Sequence, residues 1–417
     1  MNLETIGQQA RQASYALAML SSQKKNEVLQ TVAQCLRANQ DPILKANDQD
    51  MEKGKQKGLN EGLLDRLKLD PARLEAMADS LLDIVKLEDP IGEILEERIL
   101  TNGLKIQKKR VPIGVIGMIY EARPNVTLDA FSICFKSGNA VILKGGSDAL
   151  LSNIAITQCI QTGLEQCGVD PFSIQLIEST SHEDTQRFMS MTKWIDVIIP
   201  RGSARLIQSV MNNAKVPVIE TGAGNCHIYI DNTADLKKAV EIVYNAKTQR
   251  IGVCNAAESL LVQKEIAPKI LPLIQKRLNE KEVCLKVDDE AYAILKEQPG
   301  RIEHATAEDW KTEYLDYILS VKIVSDVQEA IDHINQYSTH HSECIVSEDP
   351  QAAQQFLDQI DSACVYWNAS TRFTDGGVFG LGAEIGISTG KIHARGPMGL
   401  KEMTSYKYTI QGNGQVR

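Results

Sequence analysis

Apolar residues recur at the helical period through the first ninety positions. Val28, Leu29, Val32, Cys35 and Leu36 fall on one helix face, and Leu74, Met77, Leu81, Leu82 and Val85 on another. Asp70 followed by Pro71 predicts a helix start, because the carboxylate can cap and the fixed proline φ suits the first helical position. Near Glu96 the period changes to alternation. Residues 97–110 carry Asn102-Gly103 between two alternating stretches, which predicts a tight hairpin turn. That hairpin is basic, and a basic exposed hairpin is expected to pack on something.

Short, continuously apolar runs follow at 113–120, 140–143, 174–177, 197–199 and 218–220, separated by stretches long enough for helices. A second set lies at 227–230, 259–263, 322–324, 343–346 and 364–367, with a helical pattern at 327–337 among the connections. Strands apolar on both faces and joined by helical crossovers predict parallel sheets covered on both sides. The chain therefore reads as α/β with two units and a boundary at 221–226. No internal repeat, low-complexity tract or Pro/Ser-rich linker interrupts it.

Composition narrows the class of function. At about 150 residues per domain, 417 residues suggest two or three domains, each able to bury a core. Against 45 Lys and Arg stand 54 Asp and Glu, a net charge of -9, whose field repels nucleic-acid backbones and anionic membranes. An anionic substrate would need a local basic site. The 9 cysteines are scattered without a CxxC pair, as expected of reduced thiols in a cytoplasmic protein. The N-terminal segment is acidic with only a short apolar stretch, so neither a signal peptide nor a membrane span is expected.

Several motifs fail on inspection. Gly386-Ile-Ser-Thr-Gly-Lys391 is one residue short of a phosphate-binding loop and lacks Ser or Thr after the lysine. No GxGxxG follows a strand, and His182, His340 and His341 lack companions at metal-ligand spacing, so no metal is expected. Cys254 differs from the other cysteines. It lies past a helix end in Arg250-Ile-Gly-Val-Cys-Asn255, where a nearby cation favours the thiolate that attacks carbonyl carbon. On the residues alone it reads equally as an inert buried thiol. Glu220 closes an apolar strand beside a glycine-bearing turn, 34 positions before Cys254. Arg123 and Asn125 follow the strand at 113–120, Lys144 ends the next one before Gly145-Gly146-Ser147, and Arg201-Gly202-Ser203 ends another. Strand ends beside glycine turns are where α/β proteins place sites, although each is equally readable as a plain turn.

In this order the segments resemble the aldehyde dehydrogenase superfamily, with its strand leading to a Pro-Asn pair, strand-end lysine, Gly-Ser turn, Glu-x-Gly turn and loop cysteine. YEARPNVTLDA, LKGGSDA, PRGSARLIQ, ETGAGNCHIYID and RIGVCNAAESLLV are more closely similar to the branch that reduces L-glutamyl 5-phosphate in proline biosynthesis. The similarity extends through TEYLDYILSVKIV and the glycine-rich tail from Phe373 to Tyr408, and so covers nearly the whole chain.

The resemblance implies a cofactor-binding domain at 1–96 and 113–225, a catalytic domain at 226–395, and a small β flap for homo-oligomerisation at 97–112 and 396–417. It implies Cys254 as nucleophile, the Asn125 amide and the Cys254 backbone N–H as oxyanion donors, and Glu220 as the position of the general base. Lys144 and Glu313 would bind the adenosine and nicotinamide riboses, with Gly202 and Ser203 lining the cofactor. Because no carboxylate follows Lys144 until Asp148, NADP(H) is expected over NAD. Arg123, Arg201, Arg250 and Lys215 are candidate cations for the substrate, and Arg372, Glu384 and His393 candidates for a segment closing over it. Because an acyl phosphate is labile, a transient association with glutamate 5-kinase, its supplier, is expected. The competing enzyme reading is a hydrolytic NAD(P)-dependent dehydrogenase that oxidises a small semialdehyde, with Glu220 activating water.

Overall fold

Capping sets where the N-terminal helices begin. Asn2, Ser21, Asn60 and Asp70 each accept a backbone N–H in the first turn of the helices Leu3–Leu17, Ser22–Ala38, Glu61–Leu67 and Pro71–Lys86. The helix expected from Asp70-Pro71 starts at Pro71, with Asp70 accepting from the Arg73 N–H at 2.8 Å. The computed structural model describes residues 2–417 in two units. The first holds the chain up to Thr221 together with Gly380–Gly386 and Met398–Arg417, and the second holds Gly222–Phe379 and Ile387–Pro397.

In the first unit four parallel strands stand in the order Ile174–Leu176, Ala140–Gly145, Val115–Tyr120, Val197–Arg201. Both central strands are buried at every position, as their continuous apolar runs require. The run at 218–220 forms no strand: it makes an isolated bridge from Val218 to Ile198. Pro217 has no N–H for a ladder, which leaves its carbonyl to accept from Ile198. A separate antiparallel sheet holds the hairpin, Ile94–Ile99 against Lys105–Pro112, with Thr404–Gln411 on the far side of the second strand. Gly103 supplies the turn with φ of 83°.

The second unit is built on seven parallel strands in the order Ile302–His304, Cys284–Val287, Ile318–Val324, Ala257–Gln263, Cys226–Ile230, Ser342–Val346, Cys364–Trp367. Ile228, Leu260, Val262, Leu319 and Val321 share one core with Val243 and Ala246 of the helix Leu236–Thr248. Each fully buried side chain of that size contributes about 1.5–3 kcal/mol. The strands at 284–287 and 302–304 have no counterpart in the sequence pattern. Lys286 interrupts the first, and the second is an edge strand with Glu303 and His304 exposed. Among the described residues no helix is long and apolar enough to cross a membrane.

Candidate active site

Parallel pairing decides what gathers at the strand ends of the first unit. Tyr120 is in register with Gly145 on one side and Arg201 on the other, so Glu121, the Lys144-Gly146 turn and the Arg201-Ser203 turn emerge at one edge. Lys144 is 6% exposed, and its ammonium donates to the Gly145 carbonyl at 3.2 Å. Burial pushes its proton affinity below the lysine norm, with Asp184 opposing. A side chain at Gly145 would reach within 2.4 Å of Asn153 Nδ2, a buried donor with no hydrogen-bond partner among the described residues. A buried cation, an unfilled donor and a bare backbone turn fit a bound polyhydroxylated, anionic group.

Glu121 was not singled out from sequence, yet it holds the Gly202-Ser203 turn. It accepts the Ser203 N–H at 2.7 Å and the Ser203 hydroxyl at 3.0 Å, and a side chain at Gly202 would collide with it at 2.6 Å. The strand register is the signal that places it there.

Asn125 is the first residue of the helix Asn125–Lys136, where the sequence suggested a turn. One amide hydrogen goes to Asp129 Oδ2 at 2.9 Å, fixing the amide and leaving its second hydrogen. Burial raises the Asp129 carboxyl to about 6, against the Asn125 hydrogen bond and the Arg201 charge. Glu220 is half-buried and makes no hydrogen bond or ion pair with the described residues. Arg123 and Glu384 are half-buried and Lys215 is exposed.

In the second unit Cys254 sits half-buried in the loop between Leu236–Thr248 and Ala257–Gln263. Buried Lys247 and Glu258 clasp the two ends of that loop in an ion pair of 2.5 Å. Gly224 lies against the Cys254 backbone: a Cβ there would stand 1.5 Å from the Cys254 carbonyl oxygen. The same Gly224 donates its N–H to Glu313 Oε1 at 2.7 Å, and the Cys226 thiol donates to the Cys254 carbonyl at 3.1 Å. The structure thus brings Glu313 to the strand entry that supports Cys254. Asn255 anchors the far side, its amide donating to the Thr374 carbonyl and its own carbonyl accepting from Thr371, both at 2.8 Å. Arg250 and His393 are exposed and Arg372 is half-buried. Gly224 and Asn255 lie inside motifs visible in the sequence; their backbone roles need the fold.

The aldehyde dehydrogenase family matches residues 1–293 and 304–409. A gamma-glutamyl phosphate reductase of Ligilactobacillus salivarius is 56% identical over 417 residues, covering 100% of this chain and 99% of the relative. The crystal structure of gamma-glutamyl phosphate reductase from Thermotoga maritima superposes with a TM-score of 0.97 at 45% identity, covering 100% of both chains. An acetylating aldehyde dehydrogenase from Geobacillus thermoglucosidasius, at 18% identity and a TM-score of 0.70 over 99% of this chain and 97% of that one, shares the fold.

Proposed function

The chain belongs to the aldehyde dehydrogenase family, and from that premise we propose that it reduces L-glutamyl 5-phosphate to L-glutamate 5-semialdehyde and phosphate, in the route to proline. The observation that carries this reading is the full-length likeness to gamma-glutamyl phosphate reductases in a chain whose loop cysteine is held from three sides by Gly224, Cys226 and Asn255.

Cys254 as thiolate attacks the acyl carbon; the bond to the phosphate oxygen breaks and a thioester remains on sulfur. The Asn125 amide and the Cys254 backbone N–H are assigned by the family match to the oxyanion formed in each addition step. Asp129 holds the Asn125 amide in one orientation. The family implies a nicotinamide cofactor, which when bound supplies the hydride that reduces the thioester carbon. Lys144 and Glu313 are the residues for its riboses, and Gly202 and Ser203 for its phosphate or nicotinamide side. We infer NADP(H), because the bare turn after Lys144 meets its first carboxylate at Asp148, which Lys57 neutralises at 2.7 Å. As the sulfur is expelled, the aldehyde carbonyl forms; no water enters, so Glu220 serves the proton balance of the thiol. Arg123, Arg201 and Arg250 are the cations offered to the substrate.

The test is NADP+ reduction by glutamate 5-semialdehyde, with and without phosphate, in the wild type and in Cys254→Ala. Phosphate-dependent turnover lost in the variant supports the reading. Turnover without phosphate would instead assign the chain to hydrolytic members of the family, with Glu220 activating water. A cytoplasmic site accords with the 9 cysteines, none of which forms a disulfide among the described residues. Transient association with glutamate 5-kinase belongs to the same proposal, and co-sedimentation of the two proteins checks it.

A further inference from the structure

An acyl phosphate brings a multiply charged phosphoryl group to a chain of net charge -9, so cations must stand beside the carbon that Cys254 attacks. Two guanidiniums of the second unit flank the nucleophile loop. Arg250 lies in the loop itself, is exposed, and makes no hydrogen bond or ion pair with the described residues. Arg372 arrives from the short turn Thr371–Phe373, more than a hundred residues later, and that turn is sewn to the same loop. Fully buried Thr371 donates to the Asn255 carbonyl, and the Asn255 amide donates to the carbonyl of equally buried Thr374. Arg372 is thus bracketed on both sides by bonds to the residue that follows Cys254.

Its own direction is fixed as well. Arg372 Nε donates to Gln249 Oε1 at 2.8 Å, beside Arg250, leaving the terminal N–H groups of the fork for another acceptor. Among the described residues no salt bridge joins either guanidinium to a carboxylate, whereas most other arginines of the chain have one. Burial weakens the hold of Arg372 on its proton, the neighbouring Arg250 charge weakens it further, and Cys254 and Asp375 oppose both. Two cations kept together without a carboxylate paired to either, beside the Cys254 loop, form an arrangement that a bound phosphoryl group would relieve.

We infer that Arg250 and Arg372 together receive the phosphoryl group of the substrate. The inference rests on the reductase reading and specifies its leaving-group site. As the Cys254 sulfur bonds the acyl carbon, the bond from that carbon to the bridging oxygen breaks and its electron pair leaves on the oxygen. The charge gathered by the departing phosphate falls between the two guanidiniums, and a solvent proton completes inorganic phosphate. In the oxidative direction the same pair holds phosphate while its oxygen attacks the thioester carbon and the electron pair returns to sulfur.

Steady-state kinetics in the oxidative direction tests this with Arg250→Ala, Arg372→Ala and Arg372→Lys. Each alanine variant is expected to raise the KM for phosphate by about tenfold or more, charge-assisted bonds being about twice as strong as neutral ones, with the semialdehyde KM changed less than about twofold. Arg372→Lys, which keeps the charge but not the fork, should fall between wild type and Arg372→Ala. An unchanged phosphate KM in Arg250→Ala and Arg372→Ala would overturn the inference, and so would phosphate and semialdehyde KM rising in parallel. Should Arg372→Ala fail to fold, Arg250→Ala at its exposed position decides alone. Failure of the reductase reading shows in the wild type as turnover without phosphate, and removes the inference with it.

Discussion

A single missing side chain governs the position of Cys254, the proposed nucleophile. At Gly224 any Cβ would overlap the Cys254 carbonyl oxygen at 1.5 Å and crowd its Cα at 2.5 Å, so Gly224→Ala must push the loop away. A displacement near 1 Å at a reacting group costs about 100-fold in rate. The expected result is a loss of that order in kcat/KM with an unchanged far-ultraviolet dichroism spectrum; a loss below about threefold would show that the loop tolerates the shift. Asp129 makes a different prediction. Its folded carboxyl is held up at about 6, above an unfolded value of about 3.9. The folded state therefore binds the proton more tightly, and the stability this supplies is fully present below pH ~4 and lost as pH rises through about 6. Asp129→Asn cannot titrate there, so the urea midpoint of the wild type should fall relative to the variant between pH 4 and 7. Parallel midpoints across that window would refute the assignment.

Among the elements, the helix Leu236–Thr248 and the strand Ala257–Gln263 are joined twice, by the Cys254 loop and by the Lys247 to Glu258 ion pair beneath it. Both side chains are fully buried, and Glu258 also accepts the Leu315 N–H at 3.1 Å, which ties the segment after Glu313 to the same point. Lys247→Met would strand a carboxylate in the core and cost about 3–5 kcal/mol, whereas Lys247→Met with Glu258→Gln keeps an acceptor for Leu315 without a charge and should recover most of it. Denaturant titration of the two variants measures the difference; equal losses would mean that the pair carries no charge compensation. No reading of the sequence marks this clasp, since Lys247 and Glu258 look like ordinary positions in a helix and a strand. Patterns report what is repeated or locally required. The runs at 113–120 and 140–143 were legible because both faces of the strands they fall on, Val115–Tyr120 and Ala140–Gly145, are buried, and Asp70-Pro71 because capping is local. Cys284–Val287 and Ile302–His304 were not, because Lys286, Glu303 and His304 break the apolar signal at the sheet's edge. The apolar run at 218–220 misled because Pro217 limits pairing, which its neighbours cannot reveal. Among the candidate residues, Cys254, Lys144 and Asn125 are proposed through motif order, whereas Glu121 and Asp129 touch their neighbours through contacts that only strand register and a helix turn supply.

For the whole molecule, the three-stranded sheet raises the question of what faces its outer strands. Thr404–Gln411 is an edge strand, and Tyr406, Tyr408 and Ile410 alternate with polar residues so that all three fall on one face, 50%, 56% and 61% exposed. On the opposite edge every residue of Ile94–Ile99 is exposed, including Ile94 and Ile99. The two tyrosine rings meet edge to face at 5.9 Å, and the Lys108 ammonium lies 3.8 Å over Tyr406, so the stripe is ordered within its own sheet. Unprotected edges with aligned apolar side chains invite another strand, and proteins that do not blunt such edges with charge or a bulge cover them. The edge strand Ile94–Ile99 is blunted by Glu96, Glu97, Arg98 and a register irregularity at Ile94/Glu96, whereas Thr404–Gln411 sets only Lys407 against its apolar stripe and is the edge open to a partner. A second copy of the chain is the cover that closed symmetry supplies at no cost in new sequence. The wild type should therefore sediment at a multiple of the single-chain mass at micromolar concentration. Tyr408→Asp with Ile410→Lys places two charges on the stripe and should shift the boundary to the single-chain mass, leaving the parallel sheets of each unit folded. A wild type that sediments as one chain would show that the flap edges stand open in solution.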